Sequence, residues 1–319
     1  MCVAGGKLFI SDSGNHRVLV WNAVVANGQP ADYVVGQSSL SSTAASAGAI
    51  GLQNPYEIAC GPDYLLVADG GNNRVLVFRP LPKTNAPVAT ITIGQASFNT
   101  VGRGAGADGL YAPVAATLLA DSSVAVTDSG NHRILSWARL PEGSGAPAAA
   151  VLGQSDFAGD TPDHGGVPGA DSVDSPGGLL ASDNGLWVAD RSNNRVLFFR
   201  SPLVTGAAAV TVFGQADFAS TLANRGGAPT ADSLSAPQAL CSDGEQLAIV
   251  DSGNHRVLVF PHSPPVGSPV VLGQPAVDMG AESPLSASTL RVPRACVFLG
   301  GALFVADSGN NRVVRFSPR

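Results

Sequence analysis

The side chains best equipped for chemistry recur along the chain instead of gathering once. An aspartate is followed five residues later by an arginine six times, as Asp12/Arg17, Asp69/Arg74, Asp128/Arg133, Asp190/Arg195, Asp251/Arg256 and Asp307/Arg312. A carboxylate accepts hydrogen bonds from turn amides, and a guanidinium offers five donors in a planar fork. Groups needed in every repeat belong to the frame before they belong to any one active site. The histidines divide similarly. His16, His132 and His255 stand between the aspartate and the arginine, where other repeats carry Asn73, Asn194 and Asn311, so they are expected as turn residues and not as a converging zinc triad. His164 and His262 are isolated. Asp156, Asp160, Asp163 and Asp171 could offer oxygen ligands to calcium, but their spacing matches no EF-hand, and Asx turns are the plainer expectation. No nucleophile elbow, phosphate loop or paired-carboxylate motif is present. The expectation is therefore no catalytic residue, no metal and no cofactor.

The elements that position these residues follow from the repeat. Successive aspartates lie 57, 59, 62, 61 and 56 residues apart. Each stands in a block such as LFISDSGNHRVLVW (8–21) or LLVADGGNNRVLVF (65–78), in which two apolar runs flank a Ser-Gly-Asn turn or a near variant. That is a β-hairpin signature. An apolar strand precedes each hairpin, and five hairpins are followed by a strand ending in Gly-Gln, at 36–37, 94–95, 153–154, 214–215 and 273–274. Three residues beyond each glutamine comes Leu40, Phe98, Phe157, Phe218 or Val277, read as plugs between units. The next connection ends at Pro55, Pro113, Pro176, Pro237 or Pro293, with Leu52, Leu110, Val173, Leu234 or Leu290 three residues earlier.

Four antiparallel strands repeated six times predict an all-β, six-bladed β-propeller spanning 1–319, because a lone four-stranded sheet cannot bury both faces whereas radially stacked sheets can. The approximate blades are 1–37, 55–95, 113–154, 176–215, 237–274 and 293–319. The last unit has no Gly-Gln strand, so that blade is expected to lack its outermost strand, with the missing strand lying ahead of Met1.

Composition agrees with this class. Apolar residues make up 45%, charged residues 13%, with 38 glycines and 23 prolines. No apolar run is long enough to span a membrane as a helix. The N-terminal MCVAGGKLFISD runs straight into strand-like sequence without a basic or long apolar leader. The net charge of −6, with lysine only at Lys7 and Lys83, does not favour nucleic acid. Cys2, Cys60, Cys241 and Cys296 form no Cys-x-x-Cys pair and each lies in the strand that opens a repeat. They are expected as small buried hydrophobes, with disulfide pairing the alternative.

The D-S-G-N-H/N-R-V hairpin behind an apolar strand resembles the NHL repeat family over essentially the whole chain. The resemblance implies a six-bladed propeller, and it leaves activity open because fold does not fix function. Among NHL-like propellers are peptide-amidating lyases that hold a metal with channel histidines, and lactonase-like enzymes with acidic and amide ligands. This chain departs from the family in its longer repeat and in its incomplete last unit.

Residues just past each proline enter the innermost strand and should rim the central channel. Their polar members are Tyr56, Glu57, Gln238 and Arg294, the candidates for ligand contact. The expected function is a non-catalytic, monomeric binding propeller, bacterial and extracytoplasmic, that presents a protein or small-molecule surface on the face carrying the long loops. The alternative is a lyase or lactonase-like hydrolase using the channel.

Overall fold

Alternating apolar residues and tight turns build six antiparallel sheets in the computed structural model, which describes all residues except 24, 25, 262, 318 and 319. Five sheets have four strands in sequence order and the sixth has three. Blade 1 comprises Cys2–Ala4, Lys7–Asp12, Arg17–Trp21 and Tyr33–Val35, and blade 2 comprises Pro55–Cys60, Leu65–Asp69, Arg74–Phe78 and Ile91–Ile93. Blades 3 to 5 repeat the plan from Ala116–Leu118, Leu179–Ser182 and Pro237–Ser242. Blade 6 ends with Arg312–Phe316, whose outer edge is unpaired among the described residues. The first strands form the inner ring. His262 lies outside the described residues.

Both faces of each sheet are apolar, so each is buried against a neighbouring blade. One hydrophobic cluster forms at each interface. The cluster between blades 6 and 1 is the thinnest, with only Met1, Ala302 and Phe304 fully inside.

The hairpin turn between the second and third strands has one construction throughout. In five blades three residues make a turn of 3-10 helix. The next residue, His16, Asn73, His132, His255 or Asn311, is left-handed with φ of 51–55°. Asn194 takes the same conformation in blade 4. Asparagine is the side chain most at ease there after glycine. Histidine substitutes for it because its Nδ1 offers an acceptor at the same place. Asn73 and Asn194 accept the backbone N–H of Ala112 and Ala236 through Oδ1, and His16, His132 and His255 accept those of Asn54, Ser175 and Val292 through Nδ1.

Those accepted N–H groups belong to the residues just before each proline, all held at φ of 44–48°. Val292 is the outlier, since a β-branched side chain pays most for the left-handed region. Val292→Asn, which copies Asn54 of the first loop, should stabilise the fold by about 1 kcal/mol in urea titrations. An unchanged midpoint would show that no strain is stored there.

The Gly-Gln dipeptide has an equally local reason. Gly36, Gly94, Gly153, Gly214 and Gly273 have φ of 82–98°, and a Cβ at each would collide with Leu52, Leu110, Val173, Leu234 or Leu290. Those five loop residues are completely buried. Of the residues expected as plugs, Phe98, Phe157 and Phe218 are half-buried and pack against the inter-blade clusters, whereas Leu40 is exposed and Val277 is half-buried and joins no cluster; the carbonyl oxygens of all five accept from the repeat arginines. The glutamine Nε2 then ties the strand end to the hairpin, as Gln95 does by donating to the Asn73 carbonyl at 3.0 Å and the Gly102 carbonyl at 2.7 Å.

The cysteines also depart from the main expectation. Cys2 bonds Cys60 and Cys241 bonds Cys296, across Cα separations of 5.9 and 5.8 Å. Inner strands converge toward the axis, so similarly placed positions on adjacent blades come within bridging reach. The bridges join blade 1 to blade 2 and blade 5 to blade 6.

Candidate functional site

Two kinds of connection share one end of the strands: the hairpin turns and the long inter-blade loops. What binds them together is the repeated Asp/Arg pair. In blade 4, Arg195 Nε donates to Asp190 Oδ2 at 2.6 Å, and both side chains are fully buried. Arg195 Nη2 donates to the carbonyls of Gly169 and Ser172 in the loop entering the blade, at 3.1 and 3.0 Å. Its Nη1 donates to the carbonyl of Phe218 in the loop leaving it. Asp190 Oδ1 accepts the backbone N–H of Asp174, and Oδ2 accepts the Asn193 amide.

Blades 2, 3 and 5 repeat this network. Arg74 Nε donates to Asp69 at 2.8 Å, Arg133 Nε to Asp128 at 2.7 Å and Arg256 Nε to Asp251 at 2.7 Å, each pair fully buried. Arg133 Nη2 donates to the carbonyls of Gly106 and Gly109, and its Nη1 to that of Phe157. Arg256 Nη2 donates to the carbonyls of Thr230 and Ser233, and its Nη1 to that of Val277. Arg133 and Arg256, expected from sequence as structural repeat residues, lie wholly inside the protein. Like Arg74 and Arg195 they have no exposed surface, because their N–H groups are committed to buried acceptors. These four arginines cannot touch a ligand. Only Arg17 and Arg312, which flank the junction of blades 6 and 1, keep partial exposure, at 14% and 29%. Each buried arginine therefore rivets two loops to one hairpin, and the face is rigid for that reason.

The rigid loops carry apolar side chains outward. Val167, Leu222 and Leu285 are 80%, 66% and 67% exposed, and Ile50, Val101 and Met279 are exposed on loops of the same kind. An apolar side chain on a constrained loop loses little entropy when covered, which suits it to contact.

The four channel-mouth candidates separate into different surroundings. Tyr56 is exposed, and its ring lies over Gly70, where a Cβ would come within 2.4 Å of the ring. This accounts for glycine in blade 2 where Ser13, Ser129, Ser252 and Ser308 stand in blades 1, 3, 5 and 6. Arg294 is exposed and borders a cleft between blades 6 and 1. Glu57 and Gln238, by contrast, both border Gly177–Gly178 of blade 4. A Cβ on Gly178 would stand 2.6 Å from Glu57 Oε1, and one on Gly177 would stand 2.8 Å from the Gln238 carbonyl. The Gly178 N–H donates to that carbonyl at 2.8 Å, and the Glu57 N–H donates to the Val114 carbonyl at 2.9 Å. The two glycines thus let the inner ring draw tight around a carboxyl group.

Glu57 Oε1 is sealed from solvent and has no hydrogen-bond partner among the described residues, although the residue as a whole is half-buried. Burial pushes the carboxyl up to about 8 from its ordinary 4.5, opposed by the positive Met1 amino group. Between those values the folded chain holds a proton that the unfolded chain has released, so stability falls as pH rises from 4.5 to 8 and is level above. Glu57→Gln should flatten that slope and be more stable than the parent by about 2 kcal/mol at pH 9, with little difference at pH 4. Parallel urea titrations at the two pH values decide it; equal slopes would mean that the carboxyl is already solvated.

The acidic loop does not converge. Asp156 Oδ1 accepts its own turn amides, from Ala158 and Gly159. Asp163 is buried and accepts from Ser172 and Asn193. No three His, Cys, Asp or Glu side chains form a metal-sized group among the described residues. The same holds for His16, His132 and His255, each engaged at its own loop.

Sheet order, inner ring and pinned loop face together define a six-bladed β-propeller. Solved structures with the same architecture include Kuenenia stuttgartiensis hydrazine synthase, at 14% identity and TM-score 0.56, covering 99% of this chain and 95% of that one. A chain of the nidogen–laminin complex matches at 16% identity and TM-score 0.53, over 98% of this chain and 93% of its own length. A streptogramin B lyase matches at 11% identity and TM-score 0.50, over 98% and 80%. These likenesses concern the fold alone. No protein-family model and no curated protein sequence matches the chain.

Proposed function

We propose that this chain is a non-catalytic binding propeller whose inter-blade loop face docks a protein. The observation that carries the reading is the pairing of apolar side chains, with Val167, Leu222 and Leu285 foremost, and loops riveted by buried Asp/Arg networks. The NHL-like D-S-G-N hairpins and the occurrence of a propeller of this shape in a nidogen–laminin complex are compatible with that role. Two disulfides favour an oxidising, extracytoplasmic setting. Tyr56 extends the same surface toward the channel mouth.

The test compares the parent with Val167→Asp/Leu222→Asp/Leu285→Asp and with a control, Val88→Asp/Val204→Asp/Val266→Asp, placed on loops at the opposite end of the strands. All six positions are exposed, so each variant should fold. A partner retained by the parent and the control but lost by the loop-face variant supports the reading. Equal retention by all three proteins counts against it.

One observation favours a second reading. Glu57 has a raised pKa at the inner ring and an Oε1 without a hydrogen-bond partner among the described residues, and such groups serve as general acids or bases. A lyase or lactonase-like reaction lost in Glu57→Gln, with the fold intact, would replace the binding proposal.

A further inference from the structure

The loop joining the third strand to the fourth lies at the end of the blades opposite the pinned face. In blades 2, 3 and 4 it reaches back over the preceding blade. It sets Leu81, Leu140 or Leu203 into the apolar cluster between the two blades. It also accepts the N–H at the middle of that blade's outer strand. Val34 donates to Asn85 Oδ1, Thr92 to Ser144 Oγ and Val151 to Thr205 Oγ1, at 2.9–3.3 Å. Blade 5 breaks the pattern. Arg74 to Gly94, Arg133 to Gly153 and Arg195 to Gly214 span 20, 20 and 19 residues, but Arg256 to Gly273 spans 17. The shorter loop carries Ser263 and Pro264 where the others carry leucine. Among the described residues it puts no side chain into the cluster between blades 4 and 5. Nor does it accept the N–H of Val212, the middle of blade 4's outer strand.

What remains between blades 4 and 5 is a cavity of about 850 Å³. Small-molecule pockets run from roughly 300 to 1,000 Å³. One wall is a single row across blade 4, in which Leu180 pairs with Trp187, Trp187 with Phe198 and Phe198 with Thr211. The rings of Trp187 and Phe198 stand 4.7 Å apart. Trp187 is only 3% exposed, yet its indole N–H has no acceptor among the described residues. Those of Trp21 and Trp137 donate to the carbonyls of Gln29 and Ala146. An N–H so nearly buried needs an acceptor, and at this wall only the contents of the cavity can supply it. Two charges stand on the rim, Asp183 and Arg200. Arg200 is two residues beyond Phe198 and so shares its face of the third strand. In blade 2 the corresponding corner is closed by Arg79 Nη2 on Asp63 at 2.7 Å. In blade 4 neither Asp183 nor Arg200 has an ion-pair partner among the described residues.

We propose that this cavity binds a free α-amino acid with a large apolar side chain. The side chain packs on Leu180 and Phe198. The carboxylate takes the Arg200 guanidinium and the Trp187 N–H, and the ammonium takes Asp183. A zwitterion fits this rim better than a simple anion or cation, each of which meets one like charge. The site lies at the far end of the strands from the proposed docking face and is independent of it.

The test titrates the full oxidised, isotope-labelled chain with L-phenylalanine and follows the three indole N–H resonances, that of Trp187 being the one lost in Trp187→Phe. The expected result is saturable movement of the Trp187 resonance alone, with a Kd of about 1 mM or tighter for a ligand of this size. Phenylacetate, which lacks the ammonium, and phenethylamine, which lacks the carboxylate, should each bind about fivefold more weakly. Asp183→Asn should bring L-phenylalanine down to the level of phenylacetate, and Arg200→Gln to that of phenethylamine. Both positions are exposed, so both variants should keep the parent's thermal midpoint. Ser263→Leu, which restores the missing leucine, should abolish binding. Absence of saturation, equal binding of the three compounds, or indifference to both rim variants overturns the proposal.

Discussion

Asp190→Ala should cost the fold about 3–5 kcal/mol, because it strands the Arg195 guanidinium where no water reaches it. A buried ion pair is often replaceable by apolar side chains of similar size at little cost. That escape is closed here. Arg195 also satisfies the carbonyls of Gly169, Ser172 and Phe218, so Asp190→Leu/Arg195→Met leaves three acceptors without a donor, at about 1–3 kcal/mol for each that stays dry. The equivalent changes at Arg133 and Arg256 should behave alike, since both are as deeply buried and serve the same carbonyls of their own loops. The seam supplies the control. Arg312 is 29% exposed and serves only one loop, so Arg312→Met should cost about 1 kcal/mol. Urea unfolding followed by the fluorescence of Trp21, Trp137 and Trp187 measures these variants. A double variant as stable as the parent would show that the network is dispensable and that packing alone holds the loops.

Removing either disulfide should have an effect of the same order. Each closes a loop of nearly one repeat, 58 residues for Cys2–Cys60 and 55 for Cys241–Cys296. Loops of that length confine the unfolded chain by about 4 kcal/mol in the chain-entropy account. Their placement adds to the effect. Blades 1 and 6 border the open cleft and share the thinnest apolar cluster, and each is stapled to its other neighbour. Cys241→Ser/Cys296→Ser should therefore loosen blade 6 selectively, with faster hydrogen exchange in Ala302–Asp307 while blades 2 to 4 keep their protection. Uniform loss of protection around the ring would refute that local role.

Much of this architecture can be read directly from residue order. The Asp/Arg spacing marks each hairpin, the prolines mark entry to each inner strand, and the lack of a sixth Gly-Gln foretells the three-stranded blade. These are short-range signals repeated often enough to be unmistakable. The details that resist such reading depend on closing the ring. The cysteine pairs lie one repeat apart, a spacing that in hindsight signals contact between adjacent inner strands, but proximity follows only once the blades converge. Tyr56 and Glu57 are neighbours in sequence, yet one lies on the turn glycine and the other enters the inner ring. They fall where the strand slips register between Pro55 and Ile58, an irregularity that local residue order does not announce. The six arginines look identical in sequence, and only the assembled ring separates the sealed Arg133 and Arg256 from the part-exposed Arg17 and Arg312. The Leu52 and Leu40 series are equally apolar, and only the collision with a left-handed glycine shows which one is buried. The fold and the pinning of the loop face were thus legible, whereas the solitary carboxyl and the cavity between blades 4 and 5 emerge only from three-dimensional closure.

The staples also determine how tension would travel through the molecule. With both bridges intact, a pull on the two termini bypasses residues 3–59 and 242–295, which lie inside the crosslinked loops. Extension can come only from the strands beyond Cys296 and from the stretch between Cys60 and Cys241. Blade 1 would ride through such an event as a slack loop, and reduction would release both hidden lengths at once.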